Sequence, residues 1–150
     1  MKRSAGFDLE SFLPYRLSVT TNRVSRAFAA QYEQEFGISI PEWRAIAVLG
    51  AFAPLSSNQI CERTAMDKAK VSRAVATLLK RGLIEREAHE TDQRLIQLTL
   101  SKAGRKIYEA IIPRARAIEA QVTRGLSKED IAQLHKELDR IGARLDEIEG

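Results

Sequence analysis

The sequence predicts a mainly α-helical fold with one small β-hairpin. Apolar residues recur at helical spacing over most of the chain, and prolines and glycines mark where the helical segments stop. After Gly82 the pattern changes to two short runs of β-prone residues. The chain has 150 residues, of which 44% are hydrophobic and 29% are charged, as is typical of a globular protein with a substantial core.

The first helix is predicted from Pro14 to about Phe36, after a loose N-terminal arm. Proline suits the first turn of a helix, because its missing N–H costs little there. Gly37 is expected to end the segment. One apolar stripe follows this helix, and it consists of Leu17, Val24, Phe28 and Tyr32.

Two more helices are predicted from capping signals. Ser39 and Glu42 have the spacing of a capping box, so a helix should begin there and stop at Pro54. Ser56 and Gln59 repeat that spacing, which predicts a short helix immediately afterwards.

A basic helix comes next. Asp67 is a predicted N-cap for a helix that runs to about Arg81, and Gly82 suits the left-handed position beyond it. Residues 63–81 carry six basic side chains and one acid, a net charge of +5, whereas the whole chain carries +4. The positive charge is therefore concentrated in one segment. A polyanion partner would use such a cluster, although a solvated helix face is the simpler interpretation of a charge run alone.

The hairpin and a long helix follow. Residues 83–87 and 94–100 are β-prone and are separated by a polar stretch, so they are predicted to pair as two strands. Ser101 should cap a long helix that ends at Gly125. Pro113 lies inside this helix and is expected to kink it or to remove one backbone hydrogen bond.

The last helix is predicted from Ser127 to about Ile148. Its apolar residues alternate at spacings of three and four, which produces a narrow seam that packs against a partner helix. That partner is either a second subunit or another helix of the same subunit. The seam consists of Ile131, Leu134, Leu138, Ile141, Leu145 and Ile148.

The order of elements predicts a winged helix-turn-helix, because a helix, a short helix, a turn, the basic helix and a hairpin follow one another. In such a unit the second helix lies in the major groove, so double-stranded DNA is the predicted partner. A helical projection directs Val71, Val75 and Leu78 toward the core. Lys70 and Arg73 lie on the opposite face near the N-terminal end, from which side chains reach base edges.

The predicted DNA contacts extend beyond the basic helix. Small polar side chains at the start of the preceding helix can reach phosphate, although ordinary capping explains them equally well. Arg94 in the wing can enter the minor groove, held there by an ion pair with Asp92. The predicted contact residues are Ser57, Asn58, Gln59, Lys68, Ala69, Lys70, Ser72, Arg73, Thr77 and Arg94.

The sequence argues against several other classes of protein. It has no glycine-rich phosphate loop, no Cys/His metal spacing and no nucleophile–base pair, so we expect neither enzymatic activity nor a cofactor or metal. Cys61 is the single cysteine, which excludes an internal disulfide and favours a reducing compartment. No apolar run approaches membrane-spanning length, so we expect a cytoplasmic protein with no membrane partner.

Two motifs resemble the MarR family of bacterial transcription regulators. One is the stretch DKAKVSRAVATLLKRGLI, residues 67–84, and the other is the wing pattern D-x-R…LT-x-x-G. The wing pattern is carried by Asp92, Arg94, Leu98, Thr99 and Gly104, with four residues instead of two between Thr99 and Gly104. The similarity covers nearly the whole chain.

The resemblance implies a homodimeric winged helix-turn-helix regulator. It implies an arm and dimerisation helix at 1–36, a DNA-binding lobe at 37–100, and a connecting helix with a C-terminal dimerisation helix at 101–150. Such proteins are often repressors of palindromic operators, and a small, frequently aromatic, molecule releases them from DNA. Positions that match the family's ligand pocket are Tyr15, Arg16, Trp43 and Arg44, although Trp43 is also explained as ordinary core. Because some members sense peroxides through a cysteine, redox regulation through Cys61 is the alternative.

Overall fold

The computed structural model describes residues 6–88, 91–92 and 95–150. The chain forms two compact units, Met1–Ala115 and Arg116–Gly150. A short 3₁₀ turn at Leu9–Ser11 precedes the regular elements. These elements are α1 (Leu13–Ala29), α2 (Glu33–Phe36), α3 (Ile40–Phe52), α4 (Ser57–Thr64), α5 (Lys68–Lys80), β1 (Ile84–Ala88), β2 (Ile96–Leu100), α6 (Lys102–Val122) and α7 (Lys128–Glu149). The predicted fold class, mainly helical with a small antiparallel hairpin, is confirmed.

The predicted single helix from Pro14 to Phe36 is wrong in one respect, because the structure interrupts it after Ala29. The amide of Tyr32 bonds to the carbonyl of Ala29 at 3.0 Å, which tightens the chain into a turn before α2 begins. This turn buries the Tyr32 ring, which is 1% exposed and lies 5.8 Å from the ring of Trp43. The burial of one aromatic side chain therefore overrides the continuous helical pattern.

The predicted N-caps form as expected. The side chains of Ser39, Ser56, Asp67 and Ser127 each accept a hydrogen bond from a backbone amide in the first turn of the helix they precede. Gly37 and Gly82 adopt the left-handed conformation where α2 and α5 end, with φ of 63° and 71°. Sequence patterning thus places the ends of the central helices correctly.

The hairpin is attached to the helical core at its base. β1 and β2 pair antiparallel from Ile84 opposite Leu100 to Ala88 opposite Ile96. Leu55, in the segment between α3 and α4, adds one further bridge, since it exchanges two backbone hydrogen bonds with Leu98 at 2.8 and 3.1 Å. This extra pairing fixes the position of the wing relative to α4.

The start of α6 packs tightly against the turn that joins α5 to β1. The Ser101 hydroxyl donates to the carbonyl of Gly82 at 2.6 Å and accepts from the amide of Gly104 at 3.1 Å. A β-carbon on Gly104 would lie 1.9 Å from the carbonyl oxygen of Leu83. The glycine of the wing pattern is therefore required by close backbone approach.

One hydrophobic core joins the helices and the hairpin of the first unit. Trp43 lies at its aromatic centre, with ring centroids 5.6 Å from Phe28 and 6.4 Å from Tyr108. The largest fully buried side chains are Tyr32, Ile38, Ile46, Leu49, Ile60, Leu78, Ile84, Ile111 and Val71. Burial on this scale stabilises the platform that carries α5.

The second unit contains α7, whose apolar seam is mostly exposed. Leu138 is 45% exposed, Leu145 is 48% exposed and Ile148 is 74% exposed.

Pro113 does not stop α6, which continues through it as one helix. No helix of the described residues has the length and apolar character needed to cross a membrane.

Candidate nucleic-acid interface

The basic helix α5 has one face in the core and one face outside. Val71, Val75 and Leu78 are buried, at 1%, 8% and 0% exposure, as the helical projection predicts. Six residues that were predicted to contact DNA are all exposed, namely Lys68, Ala69, Lys70, Ser72, Arg73 and Thr77. The apolar backing therefore presents a row of cationic and small polar side chains outward.

Cations of the basic segment divide into two groups. The guanidinium carbon of Arg63 lies 3.7 Å from the centroid of the Phe52 ring. Arg81 donates to the carbonyl oxygens of Phe36 and Gly37 at 2.8 and 3.0 Å. The other four basic side chains of residues 63–81 make no hydrogen bond, ion pair or ring contact with the part of the chain that the structure describes, and they are Lys68, Lys70, Arg73 and Lys80. Fewer cationic side chains of this segment are therefore available to a partner than its net charge of +5 suggests.

The first turn of α4 lies beside α5 and contributes to the same surface. Ser57 and Asn58 share the lining of a groove of about 330 Å³ with Lys68 and Ser72 of α5. Gln59 is committed to capping, since its side-chain oxygen accepts from the amide of Ser56 at 2.9 Å. The structure brings the predicted α4 and α5 residues together, and their contact with DNA stays a prediction.

Arg86 on β1 is a member of this surface that sequence reasoning missed. It lines the groove with Asn58 and Lys68 and is exposed. The available signal was strand alternation, because Glu85 and Glu87 point to one face of the strand and Arg86 points to the other. Arg94, the predicted wing contact, lies outside the described residues, and so does its predicted ion pair with Asp92.

A second groove, of about 520 Å³, lies between α1, the start of α3 and α5. It is lined by Asn22, Ser25, Arg26, Ile40, Pro41, Arg44 and Lys70. The Arg44 guanidinium donates to the Ser25 hydroxyl at 3.0 Å, which orients it at the wall. Three cations and no carboxylate contribute to this lining, so the groove suits a small anion.

The four predicted ligand-binding residues do not lie together in one subunit. Trp43 is 8% exposed and belongs to the aromatic core, while Arg44 lines the larger groove. Tyr15 and Arg16 lie in the first turn of α1, about 15 Å along the helix from Ser25 at ~1.5 Å per residue. The contact of each with a ligand stays a prediction.

The exposed side chains of this surface are hydrogen-bond donors and cations, which can bind an anionic partner. Among them, no group of three or more His, Cys, Asp or Glu side chains could hold a metal ion. Cys61 is half-buried and lines the smaller groove beside Val71 and Val75.

Comparison with known proteins agrees with this geometry. A family model described as MarR family matches residues 36–95, which span the segment from the end of α2 to the hairpin. The HTH-type transcriptional regulator BilQ of Clostridium symbiosum is 29% identical over 109 residues, which cover 73% of this chain and 76% of BilQ.

Solved structures share both fold and sequence with the chain. A probable transcriptional regulator from Pseudomonas aeruginosa is 33% identical with a TM-score of 0.74, and the match covers 89% of this chain and 99% of that one. A MarR/EmrR family transcriptional regulator from Acinetobacter sp. ADP1 is 27% identical with a TM-score of 0.86, and the match covers 94% of this chain and 99% of that one. With the exposed basic helix and the wing, these similarities show that the chain belongs to the MarR family of winged-helix, DNA-binding transcription regulators.

Proposed function

We propose that the protein is a ligand-responsive repressor that binds a palindromic operator as a homodimer. The observation that carries this proposal is the exposed row of Lys70, Arg73 and Thr77 on a helix whose other face is buried. Arginine and lysine can pair with guanine O6 and N7, and threonine can meet a phosphate or a thymine methyl. A regulator from Listeria monocytogenes that shares this fold at 16% identity, with a TM-score of 0.82, was solved complexed with a 26mer DNA.

Exposed apolar surface supports the homodimer. The α7 seam exposes Leu134, Leu138, Leu145 and Ile148, while Ile131 and Ile141 are half-buried. Phe7 and Phe12, which precede α1, and Leu13, its first residue, are 50%, 42% and 54% exposed. Large apolar side chains exposed in such numbers mark an association surface. A two-fold dimer would place two copies of α5 in successive major grooves, roughly 34 Å apart, which matches a palindrome.

The larger groove supports release by a small molecule. A carboxylate that pairs with Arg44 would lie beside Arg26 and Lys70, and Lys70 is also a predicted DNA contact. Ligand and DNA would then compete for one cation, and a coupling of ~1–3 kcal/mol lowers DNA affinity about 5- to 150-fold. The fold is shared at 19% identity by BpsR of Bordetella bronchiseptica, whose DNA binding is regulated by 6-hydroxynicotinic acid.

Selection of bound duplexes from genomic DNA tests the proposal. We expect recovered fragments to share an inverted repeat and to bind two copies of the chain, as measured by sedimentation. Aromatic carboxylic acids should then weaken binding of the wild-type protein and have less effect on Arg44→Gln. Recovery of asymmetric sites bound by one chain would contradict the homodimer and the palindrome together.

Redox regulation through Cys61 is not favoured by the structure. The side chain is half-buried against Val71 and Val75, and no second cysteine exists in the chain to form an internal disulfide. DNA binding that is unchanged by peroxide would dismiss this alternative.

A further inference from the structure

The C-terminal end of α5 is held by a contact that the DNA-binding function leaves unexplained. Arg81 caps this helix, and its guanidinium reaches 44 and 45 residues back along the chain to the carbonyls of Gly37 and Phe36. These two carbonyls lie at the end of α2, where the last helical turn leaves acceptors without a helical partner. One planar side chain therefore joins the end of the DNA-reading helix to the junction between α2 and α3.

Arg114 of α6 contacts α2 and the turn that precedes it. Arg114 donates to the carbonyl of Gln31 at 2.8 Å and forms an ion pair with Glu35. Its guanidinium also lies 5.2 Å from the centroid of the Phe36 ring. Phe36 is thus contacted at its carbonyl by Arg81 and at its ring by Arg114, so α2 and its C-terminal end form a support that is bonded to both α5 and α6.

We propose that Arg81 is a positioning residue for DNA reading, which holds α5 in register against this support and makes no contact with DNA itself. The inference rests on the proposed function, in which α5 enters the major groove. Base contacts tolerate little misplacement, because bidentate pairing needs both the distance and the direction of each donor. The two short hydrogen bonds of Arg81 restrain both the tilt and the axial position of the helix at the end opposite to its N-cap Asp67.

The proposal makes Arg81 differ from a phosphate contact in two measurable ways. Loss of a phosphate contact weakens binding to all sequences equally and lowers the salt dependence of log K by about one unit of slope. Loss of a positioning residue weakens specific binding only and leaves the salt slope unchanged. A lysine can replace a phosphate contact, whereas it cannot reproduce two hydrogen bonds from one planar group.

The test uses full-length Arg81→Ala, Arg81→Lys and Lys80→Ala. The probes are the tightest-binding duplex that wild-type protein recovers from a random library of about 30 base pairs and a scrambled duplex of the same composition. We expect both Arg81 variants to lower the ratio of the two affinities about tenfold, as befits the loss of charge-assisted hydrogen bonds, with an unchanged salt slope on the scrambled duplex. Lys80→Ala removes the neighbouring cation and should keep the wild-type ratio.

Each remaining outcome is decisive. A salt slope that falls by about one in Arg81→Ala and returns in Arg81→Lys would overturn the proposal, because it would make Arg81 a phosphate contact. Wild-type ratios in both Arg81 variants would overturn it as well. Thermal melts followed by circular dichroism ensure that all variants are folded at the assay temperature. Failure of the wild-type protein to recover any preferred duplex would instead refute the proposed function itself.

Discussion

Gly104 lies against Leu83 so closely that a β-carbon on the glycine would be 1.9 Å from the leucine carbonyl oxygen. Because that oxygen also accepts a hydrogen bond from the amide of Ser101 at 3.0 Å, it cannot move without loss of a backbone contact. This approach packs the start of α6 onto the turn between the DNA-reading helix and the wing.

Gly104→Ala is therefore expected to destabilise the protein by about 3 kcal/mol, near the upper end of the usual cost of overpacking. Gly142→Ala provides the matched control, since beyond its chain neighbours and its own helix backbone the new β-carbon would meet no heavy atom of the described residues within 4 Å. That variant should gain about 0.5–1 kcal/mol from helix propensity. Urea unfolding measures both, and equal effects at the two sites would contradict the close-approach argument.

Arg73→Ala should reduce sequence preference while the protein stays assembled. Arg73 is exposed on the outer face of α5, and loss of a bidentate arginine costs about 1–3 kcal/mol of discrimination. Fluorescence anisotropy with a selected and a scrambled duplex measures this change. Arg124→Ala, which removes an exposed arginine beyond the end of α6, serves as the control. Wild-type operator affinity in Arg73→Ala would refute the assignment of the DNA-reading face.

Leu138→Glu is expected to dissociate the proposed homodimer into monomers. The side chain is 45% exposed in a single subunit, and dimerisation would bury it in the apolar seam. Removing a carboxylate from water in this way costs a large desolvation free energy. Ala132→Glu introduces the same charge on the exposed face of α7 outside the seam and should leave the assembly intact. Sedimentation velocity distinguishes the two, and a monomeric wild-type protein would remove the basis for this prediction.

Tyr32 should ionise at a higher pH than an ordinary tyrosine. Burial raises the pKa of Tyr32 to about 12, with a smaller contribution from the charge of Glu33, whereas an unfolded tyrosine ionises near pH ~10. The unfolded state therefore loses its proton first. The stabilisation from the neutral buried phenol is complete below pH ~10 and is lost as the pH rises toward 12.

Phenolate absorbance during an alkaline titration should show one delayed transition, and Tyr32→Phe should lack it. Chemical unfolding of the two proteins across the same pH range tests the linkage. A Tyr32 transition near pH ~10 in the folded protein would instead show that its phenol is accessible to solvent.

Local signals in the sequence were sufficient for much of the fold. The caps at Ser39, Ser56 and Asp67 depend on side chains within three residues of the amides they bind, so spacing alone predicts them. The two faces of α5 follow in the same way from helical periodicity.

Features that depend on distant residues were not predictable in this way. The break before α2 arises because Tyr32 packs beside Trp43, and the bridge from Leu55 to Leu98 joins residues far apart in the chain. A count of charges likewise cannot tell that Arg81 is held by carbonyls at the end of α2. Such contacts require the tertiary structure, since no local pattern encodes them.

Lys70 belongs both to the outer face of α5 and to the wall of the groove that contains Arg44. Under the proposed function, any change at this position alters which promoters are recognised and which inducers are sensed. Target choice and chemical sensitivity would then evolve together at Lys70, and a diverging paralogue would need compensating changes elsewhere to separate them.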